Sequence, residues 1–376
     1  MSRSEDDTPL RQKILQAIRE AGRGSISFAE FMAACLYDPD HGYYASPAHR
    51  AIGRGGDFYT NVSVGDGFGF LLAMAIEKRW ESDLEREAPL RIVEQGAHDG
   101  RLAIDVVSGL LERGIERTAF DYVIHEPDPK RRTDLATALA AAPIPAGLVS
   151  VESALPAQPF SAGIFLCNEL PDAFPVHRVR WEQHQWVERR VEAGPDDTFQ
   201  WISEPIPAGS DLEAEIEHLP SSGLPEHYTT EICTEYDAWM ASAARWFHPR
   251  GVWWVIDYGL EAEDYFAPDR HEGTLRGYRQ HRRADDPFEA VGLTDLTTDV
   301  NFTRLDLAAR RAGLRRREFT DQHHFLIRAA EPWLRDIEAG GTEVLEKNRQ
   351  RLRQFQTLTH PGMMGRTFKI AEYVRA

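Results

Sequence analysis

Five short apolar runs constrain the fold more than any other feature. They are RIV (91–93), DYVIH (121–125), LVSV (148–151), GIFLC (163–167) and GVWWVIDYG (251–259). A strand covered on one face alternates apolar and polar residues, whereas a strand covered on both faces reads as a near-continuous apolar run. Helix-like stretches follow the first two runs: LAIDVVSGLLE, reaching about Arg113, and a segment through Lys130 to Ala141. Strand and helix alternating in this way predict a doubly wound, mostly parallel α/β sheet.

The flanking segments have their own signatures. Residues 10–37 read as helical, with Ser27 and Glu30 forming a capping box ahead of FMAACLY. Residues 38–63 are rich in Gly, Pro, Tyr and Asp and read as an ordered loop, after which VGDGFGFLLAMAIEKRW returns to helical spacing. Between the fourth and fifth runs, HRVRW, QWVERRVEA and TFQWISEP predict an antiparallel meander with turns at Glu182-Gln183 and Gly194-Pro195. A helix is expected from Thr230 to Phe247, an irregular stretch from Gly259 to about Leu293, helix beyond it, and a last strand in RTFKIAEYV.

Composition narrows the partners. The chain has 376 residues and a formal net charge of −17. That charge disfavours nucleic acid, which selects basic surfaces, and is compatible with a cationic substrate. No apolar run approaches the roughly twenty residues of a membrane-spanning helix. The first residues carry Glu5, Asp6 and Asp7 and no apolar stretch, unlike a signal or transit peptide, so the expected location is the cytoplasm. Cys35, Cys167 and Cys233 are widely separated, which argues against a disulfide framework or a zinc site. His323 and His324 are adjacent and point different ways, so no metal is expected there.

RIVEQGAHDG (91–100) is a strand, a turn of small residues and a helix start. A dinucleotide fingerprint would need glycines at 96, 98 and 101, of which only Gly96 is present, and the Gly-Lys-Ser/Thr of a phosphate loop is missing. The pattern E/D-x-G-x-G-x-G fits at Glu94, Gly96 and Gly100, with His98 in the middle glycine's place. S-adenosylmethionine has no phosphates, so such a loop needs close backbone approach more than an anion cradle. Glu126 ends the second run, where an acid can accept both ribose hydroxyls. A non-glycine at 98 is compatible with this if its backbone dihedrals are ordinary and its side chain points away from the cofactor.

NELPDAFP places Asn168, Glu169 and Asp172 just past the fourth apolar run, flanked by Pro171, Phe174 and Pro175. Ligands of open α/β sheets bind outside the carboxyl ends of the strands. Methyl transfer is a direct displacement at a sulfonium carbon that needs an aligned, desolvated nucleophile. Carboxylates can orient a guanidinium or amine nitrogen and localise its lone pair. Trp181, Trp186 and Trp201 in the meander read as sheet-face packing, and Arg315-Arg316-Arg317 as a solvated run. Asp257 and Tyr258 end the fifth run near where a substrate could lie, and Asp295 and Asp299 sit in a loop placed to cover the cleft.

Taken in order, several motifs resemble the MidA family of S-adenosylmethionine-dependent methyltransferases. They are FxxFMxxxLYDPxHGYY (28–44), GDFYT (56–60), VEQGAHDGRLA (93–103), NELPDAFPVHR (168–178), IDYG (256–259), TLRGYRQH (274–281) and GLTDLTTDVNF (292–302). The resemblance implies a class I methyltransferase fold with an N-terminal helical lid over 1–63, a core in two parts over 64–177 and 250–376, and a substrate-side antiparallel insertion over 178–249. It places Gly56, Asp57 and Thr60 near the methionine end of the cofactor and Glu94, Gly96, His98 and Gly100 in its loop. Glu126 then takes the ribose, while Asn168, Glu169 and Asp172 face the reaction centre. The mitochondrial member's activity implies arginine methylation of a protein. A small-molecule acceptor, and a non-catalytic assembly factor that keeps the fold, stay open beside it, as does a homo-oligomer. Two departures stand out: EQGAHDG where the family reads E-x-G-P-G-x-G, and TNVSVG where it carries T-S-P-E.

Overall fold

The computed structural model of the chain describes residues 8–45, 60–155, 162–220, 222–246, 250–279 and 282–376. It divides into two compact units. The meander unit comprises Met1–Phe58, Pro171–Asp237 and Leu260–Arg304; the sheet unit comprises Tyr59–Leu170, Ala238–Gly259 and Leu305–Ala376. The helices are α1 (Pro9–Glu20), α2 (Phe28–Tyr37), α3 (Gly67–Ser82), α4 (Arg101–Glu112), α5 (Pro129–Ala141), α6 (Asp211–Ile216), α7 (Tyr236–Ala244), α8 (Ala262–Tyr265), α9 (Phe302–Arg311) and α10 (Gln322–Thr359). The first eight strands are β1 (Ser25–Ser27), β2 (Leu90–Gln95), β3 (Phe120–His125), β4 (Val149–Glu152), β5 (Gly163–Asn168), β6 (His177–Glu182), β7 (Gln185–Ala193) and β8 (Phe199–Pro205). The others are β9 (Thr229–Ile232), β10 (Val252–Leu260), β11 (Arg276–Arg279), β12 (Arg282–Ala284), β13 (Asp295–Thr297), β14 (Val300–Asn301), β15 (Leu314–Asp321) and β16 (Phe368–Arg375). Among the described residues no helix is long and apolar enough to cross a membrane.

In the sheet unit the strands run in the order β15-β16-β10-β5-β2-β3-β4. The pairings from β10 through β4 are parallel, and β16 is antiparallel to both β10 and β15. All five apolar runs are therefore neighbouring parallel strands of a doubly wound sheet, as their composition predicts. The chain builds outward from β2 to β4, then returns to β5 on the other side of β2. The loops leaving β2 and β5 thus flank the point where strand order reverses, which is where open α/β sheets bind ligands. Glycines let α3 and α4 approach closely: a Cβ on Gly69 would lie 2.4 Å from Asp105 Cβ, and one on Gly109 2.8 Å from Ala73 Cβ. The Arg315–Arg317 run lies in strand β15, where Arg315 and Arg317 are exposed, as a solvated run would be, but not without partners. Its Arg317 donates to Glu372 of β16 at 2.6 Å, and the same buried carboxylate accepts from Arg79 Nε at 2.9 Å and Trp254 Nε1 at 2.8 Å. A buried carboxylate demands such donors.

The meander unit holds an antiparallel sheet in the order β1-β7-β6-β9, with β8 on the other side of β7. The β6–β7 turn falls at Gln183-His184, one residue later than expected. Both residues have positive φ (50° and 63°), matching the twist of a two-residue hairpin. The segment expected as helix from Thr230 begins instead as strand β9, whose Thr229, Thr230 and Ile232 are β-branched; helix starts only at Tyr236. The stretch expected as irregular contains β11 and β12, and β11 also pairs β13. Trp201 packs on Phe28 and Phe288, with centroids 5.0 and 4.9 Å away, and Trp181 on Trp186 at 5.3 Å.

Candidate active site

The loop after β2 is left-handed at three alternate positions: Gly96 (φ 75°), His98 (φ 50°) and Gly100 (φ 80°). Glycine suits the first by conformation, and a Cβ there would also crowd Leu170 Cδ1 at 3.0 Å, so that the leucine side chain would have to shift. His98 adopts the same backbone as its glycine neighbours, not the ordinary dihedrals expected of a non-glycine. Histidine is among the side chains enriched at positive φ, and the strain is about 1 kcal/mol. Gly100 opens α4, with Arg101 N donating to Asp99 Oδ1 at 3.0 Å.

Glu94 lies under the loop and is only 2% exposed. Its Oε2 accepts from Tyr122 Oη at 2.7 Å. Burial pushes its carboxyl up to about 8; the tyrosine opposes this, and Asp99 adds to it. The group is therefore mostly neutral at pH 7. Glu126, at the end of β3, is buried. It accepts from Asp128 N at 3.0 Å and pairs with Arg131 Nε at 3.0 Å. A carboxylate has about four acceptor sites, so these two contacts leave capacity for a diol.

Past β5, Glu169 takes φ 53°, and its backbone N–H donates to Ile256 O at 2.9 Å. Its Oε1 accepts from Asn168 Nδ2 at 3.0 Å and from Asn61 N at 3.2 Å, while Asn61 Nδ2 donates to Asn168 Oδ1 at 3.2 Å. Asn61 is completely buried, and its Oδ1 has no partner among the described residues. Sequence reasoning missed Asn61. The only local signal is that it follows Thr60, whose hydroxyl accepts from Ser63 N at 3.1 Å. Gly56 and Asp57 lie outside the described residues.

Asp172 belongs to the meander unit. It is buried there, with its backbone carbonyl accepting from Thr298 N at 2.9 Å. In the same unit Tyr44 Oη donates to the buried Asp295 at 3.1 Å, and Tyr37 Oη donates to Ala173 O at 2.8 Å. Burial first, then Asp295, Tyr37 and Asp172, raise the Tyr44 hydroxyl well above its ordinary range, so it stays a donor. Asp299 is held by Arg276 and, at 3.6 Å, by Arg270. Asp257 of β10 is fully buried and accepts from Tyr258 N at 2.8 Å.

S-adenosylmethionine offers an ammonium and a ribose diol and carries no phosphate. The sheet unit answers with a glycine turn, a strand-end carboxylate and a buried orphan acceptor on Asn61. A buried acceptor left unmade costs about 1–3 kcal/mol, which a donor-bearing ligand relieves. The residues fit that cofactor.

Comparison with known proteins agrees. Residues 71–320 match the family model described as "Putative S-adenosyl-L-methionine-dependent methyltransferase". A Burkholderia thailandensis protein crystallised with S-adenosyl-homocysteine superposes with a TM-score of 0.85 at 28% identity, over 99% of this chain and 92% of that one. The sheet described above is thus the class I methyltransferase fold. Curated relatives include the zebrafish protein arginine methyltransferase NDUFAF7, mitochondrial (27% identical, 81% of this chain and 73% of the relative). The Drosophila melanogaster homolog is 26% identical over 96% and 82%. These relatives are named mitochondrial, which overturns the cytoplasmic expectation. With two thirds of its length matched by the family model, and as the MidA motifs implied, the chain belongs to this family of S-adenosyl-L-methionine-dependent methyltransferases.

Proposed function

We propose that the chain methylates an arginine nitrogen of a protein substrate. In this reading Gly56, Asp57, Thr60, Glu94 and the loop from Gly96 through His98 to Gly100 serve the cofactor, with Glu126 on its ribose. Asn168, Glu169 and Asp172 serve the acceptor. The observation that carries it is the directed contact set at Glu169. A carboxylate only accepts, so Asn168 must donate to it, and Asn168 Oδ1 must then accept from Asn61. Glu169 is thereby fixed as an acceptor at the end of β5, on a strained backbone of the kind that clusters at functional sites. A fixed carboxylate suits a guanidinium, which is always charged and offers only donors. The relatives named protein arginine methyltransferases support the same acceptor.

The cofactor supplies an electrophilic methyl on sulfur. As the new N–C bond forms the S–C bond breaks, and the nitrogen's proton leaves to a carboxylate or to water. Glu169 orients the nitrogen and stabilises the charge it develops. The test is transfer of a tritiated methyl group to proteins of a lysate lacking this chain, followed by acid hydrolysis and amino-acid analysis. Label in methylarginine, lost in Glu169→Gln, is the expected result. Label confined to small molecules favours the small-molecule reading. No label beyond that of Glu169→Gln, with S-adenosyl-homocysteine still bound, favours the non-catalytic assembly factor.

A further inference from the structure

Two residues that no motif singles out stand immediately before two that motifs do. Gln95 precedes Gly96, and His125 precedes Glu126; β2 and β3 are parallel neighbours with Gln95 directly opposite His125. Gln95 Nε2 lies 3.1 Å from His125 Nδ1, and Trp239 Nε1, on α7, donates to Gln95 Oε1 at 2.9 Å. Trp239 is itself packed edge-on against Trp253 of β10, with centroids 5.0 Å apart. All four residues belong to the sheet unit.

The chain of contacts has one direction. An indole N–H can only donate, so the amide end facing Trp239 is the oxygen. The end facing His125 is then the NH2 group, which can only donate, so His125 Nδ1 must accept. The imidazole is therefore neutral with its proton on Nε2, and the backbone of Ser153 beside the ring favours a proton on it. Burial lowers the basicity of His125 below its ordinary range, against the opposing pull of Glu126 and Ser153. The charged groups near it are Glu126, next in the chain, and Glu152, opposite it on β4 and exposed; Trp246 contributes only a ring, 5.9 Å away.

We propose that Gln95 and His125 are positioning residues for the cofactor: the relay Trp239–Gln95–His125 cross-links the ends of β2 and β3 and sets the separation between the glycine loop and Glu126. This rests on the reading of Glu126 as the ribose acid. A protonated His125 cannot accept, so the relay breaks in acid and the two halves of the cofactor site lose their common reference.

The test is calorimetric binding of S-adenosyl-homocysteine between pH 5.5 and 8, with ring nitrogen shifts of His125 read by NMR in the ligand-free protein. The NMR is expected to find the proton on Nε2. Wild-type affinity is expected to weaken as pH falls, by about fivefold to tenfold, the worth of one hydrogen bond. His125→Gln can accept from Gln95 and donate to Ser153, so it keeps the pH 8 affinity and loses the pH dependence. Gln95→Glu can only accept when ionised, so Nδ1 must become a donor; the imidazolium provides this without giving up the Nε2 proton, and the profile tilts the opposite way, tightest in acid. Gln95→Met binds uniformly weaker, with a flat profile. A Gln95→Glu profile parallel to wild type, a His125→Gln variant that keeps the wild-type slope, or a proton found on Nδ1 overturns the relay. If Gln95 variants fail to fold, His125→Gln and the NMR still decide. Undiminished affinity in Glu126→Ala overturns the ribose reading and the proposal with it, whatever the relay shows. Absence of wild-type binding at pH 8 does the same to the cofactor site as a whole.

Discussion

Glu94 of the sheet unit and Glu188 of the meander unit are both almost fully buried, yet they carry opposite charge states. Glu94 has one neutral hydroxyl for company, from Tyr122, and its carboxyl rises to about 8. Glu188 is also desolvated, but His177 Nδ1 and Arg190 Nη1, each at 2.8 Å, overcome the penalty and hold the carboxyl below its ordinary range. Burial alone predicts neither state; the partner does. The meander unit also fixes Glu215 and Asp237 with an arginine, Arg304. The sheet unit leaves a carboxyl beneath the cofactor loop with no arginine in contact in the described structure. A charge already compensated cannot be tuned by a ligand, whereas one held neutral by burial can.

One large expected effect breaks the compensated side. Arg190→Met keeps much of the apolar stem and leaves Glu188 with His177 alone. Stranding part of a buried pair costs about 3 kcal/mol at pH 7, read by urea unfolding. The depressed carboxyl of wild-type Glu188 contributes stability above the ordinary carboxylate pKa, lost as pH falls through its lowered folded value. The deficit of Arg190→Met should therefore shrink in acid. An equal deficit at pH 4 and pH 7 would mean that packing, not charge, is what Arg190 supplies.

Glu94→Gln probes the other side, with an effect of opposite pH sense. Burial pushes the folded carboxyl up to about 8, against 4.5 for the free group. Between those values the unfolded chain binds fewer protons, so wild-type stability falls as pH rises, by up to about 1.4 kcal/mol per pH unit. The contribution is fully present below pH 4.5 and gone above 8. Glutamine keeps an acceptor for Tyr122 and cannot ionise. The variant should match wild type within about 1 kcal/mol in mild acid and exceed it increasingly towards pH 8. Parallel stability curves would show Glu94 ionised throughout and the contrast with Glu188 unfounded.

What was legible in the chain follows the same division between local and distant causes. The parallel strands were visible because coverage on both faces leaves continuous apolar runs, and the start of α2 because Ser27 and Glu30 cap each other within one turn. The β9 strand was hidden inside an expected helix, although Thr229, Thr230 and Ile232 argued for extended chain; Tyr236 onward then supplied real helix. The arginines of β15 are largely exposed, as they read, but the ion pairs of Arg317 were hidden because Asp83 and Glu372 lie far off in sequence. The glycine turn after β2 and the strand-end Glu126, proposed above to serve the cofactor, were visible by spacing. Asn61 was not, because its role depends on Asn168 and Glu169, more than a hundred residues away. Gln95 and His125 sat beside motif residues, but only Trp239 gives their contact a direction.

The smallest expected effect concerns the loop, where glycine and histidine share one backbone conformation. Gly96→Ala adds a Cβ at φ 75° and brings it to 3.0 Å from Leu170, so it should lower stability by about 1–2 kcal/mol. His98→Gly relieves strain of the same kind at φ 50°, but also frees the unfolded chain, which offsets part of the gain. The net change should be a gain of up to about 1 kcal/mol, read by urea unfolding, with S-adenosyl-homocysteine affinity equal or tighter. A loss of affinity in a folded, more stable His98→Gly would show that the imidazole serves the cofactor directly, so that the departure from the family's glycine is a gained contact. Unchanged affinity would leave His98 a tolerated occupant of a glycine's place, its cost borne by the fold alone.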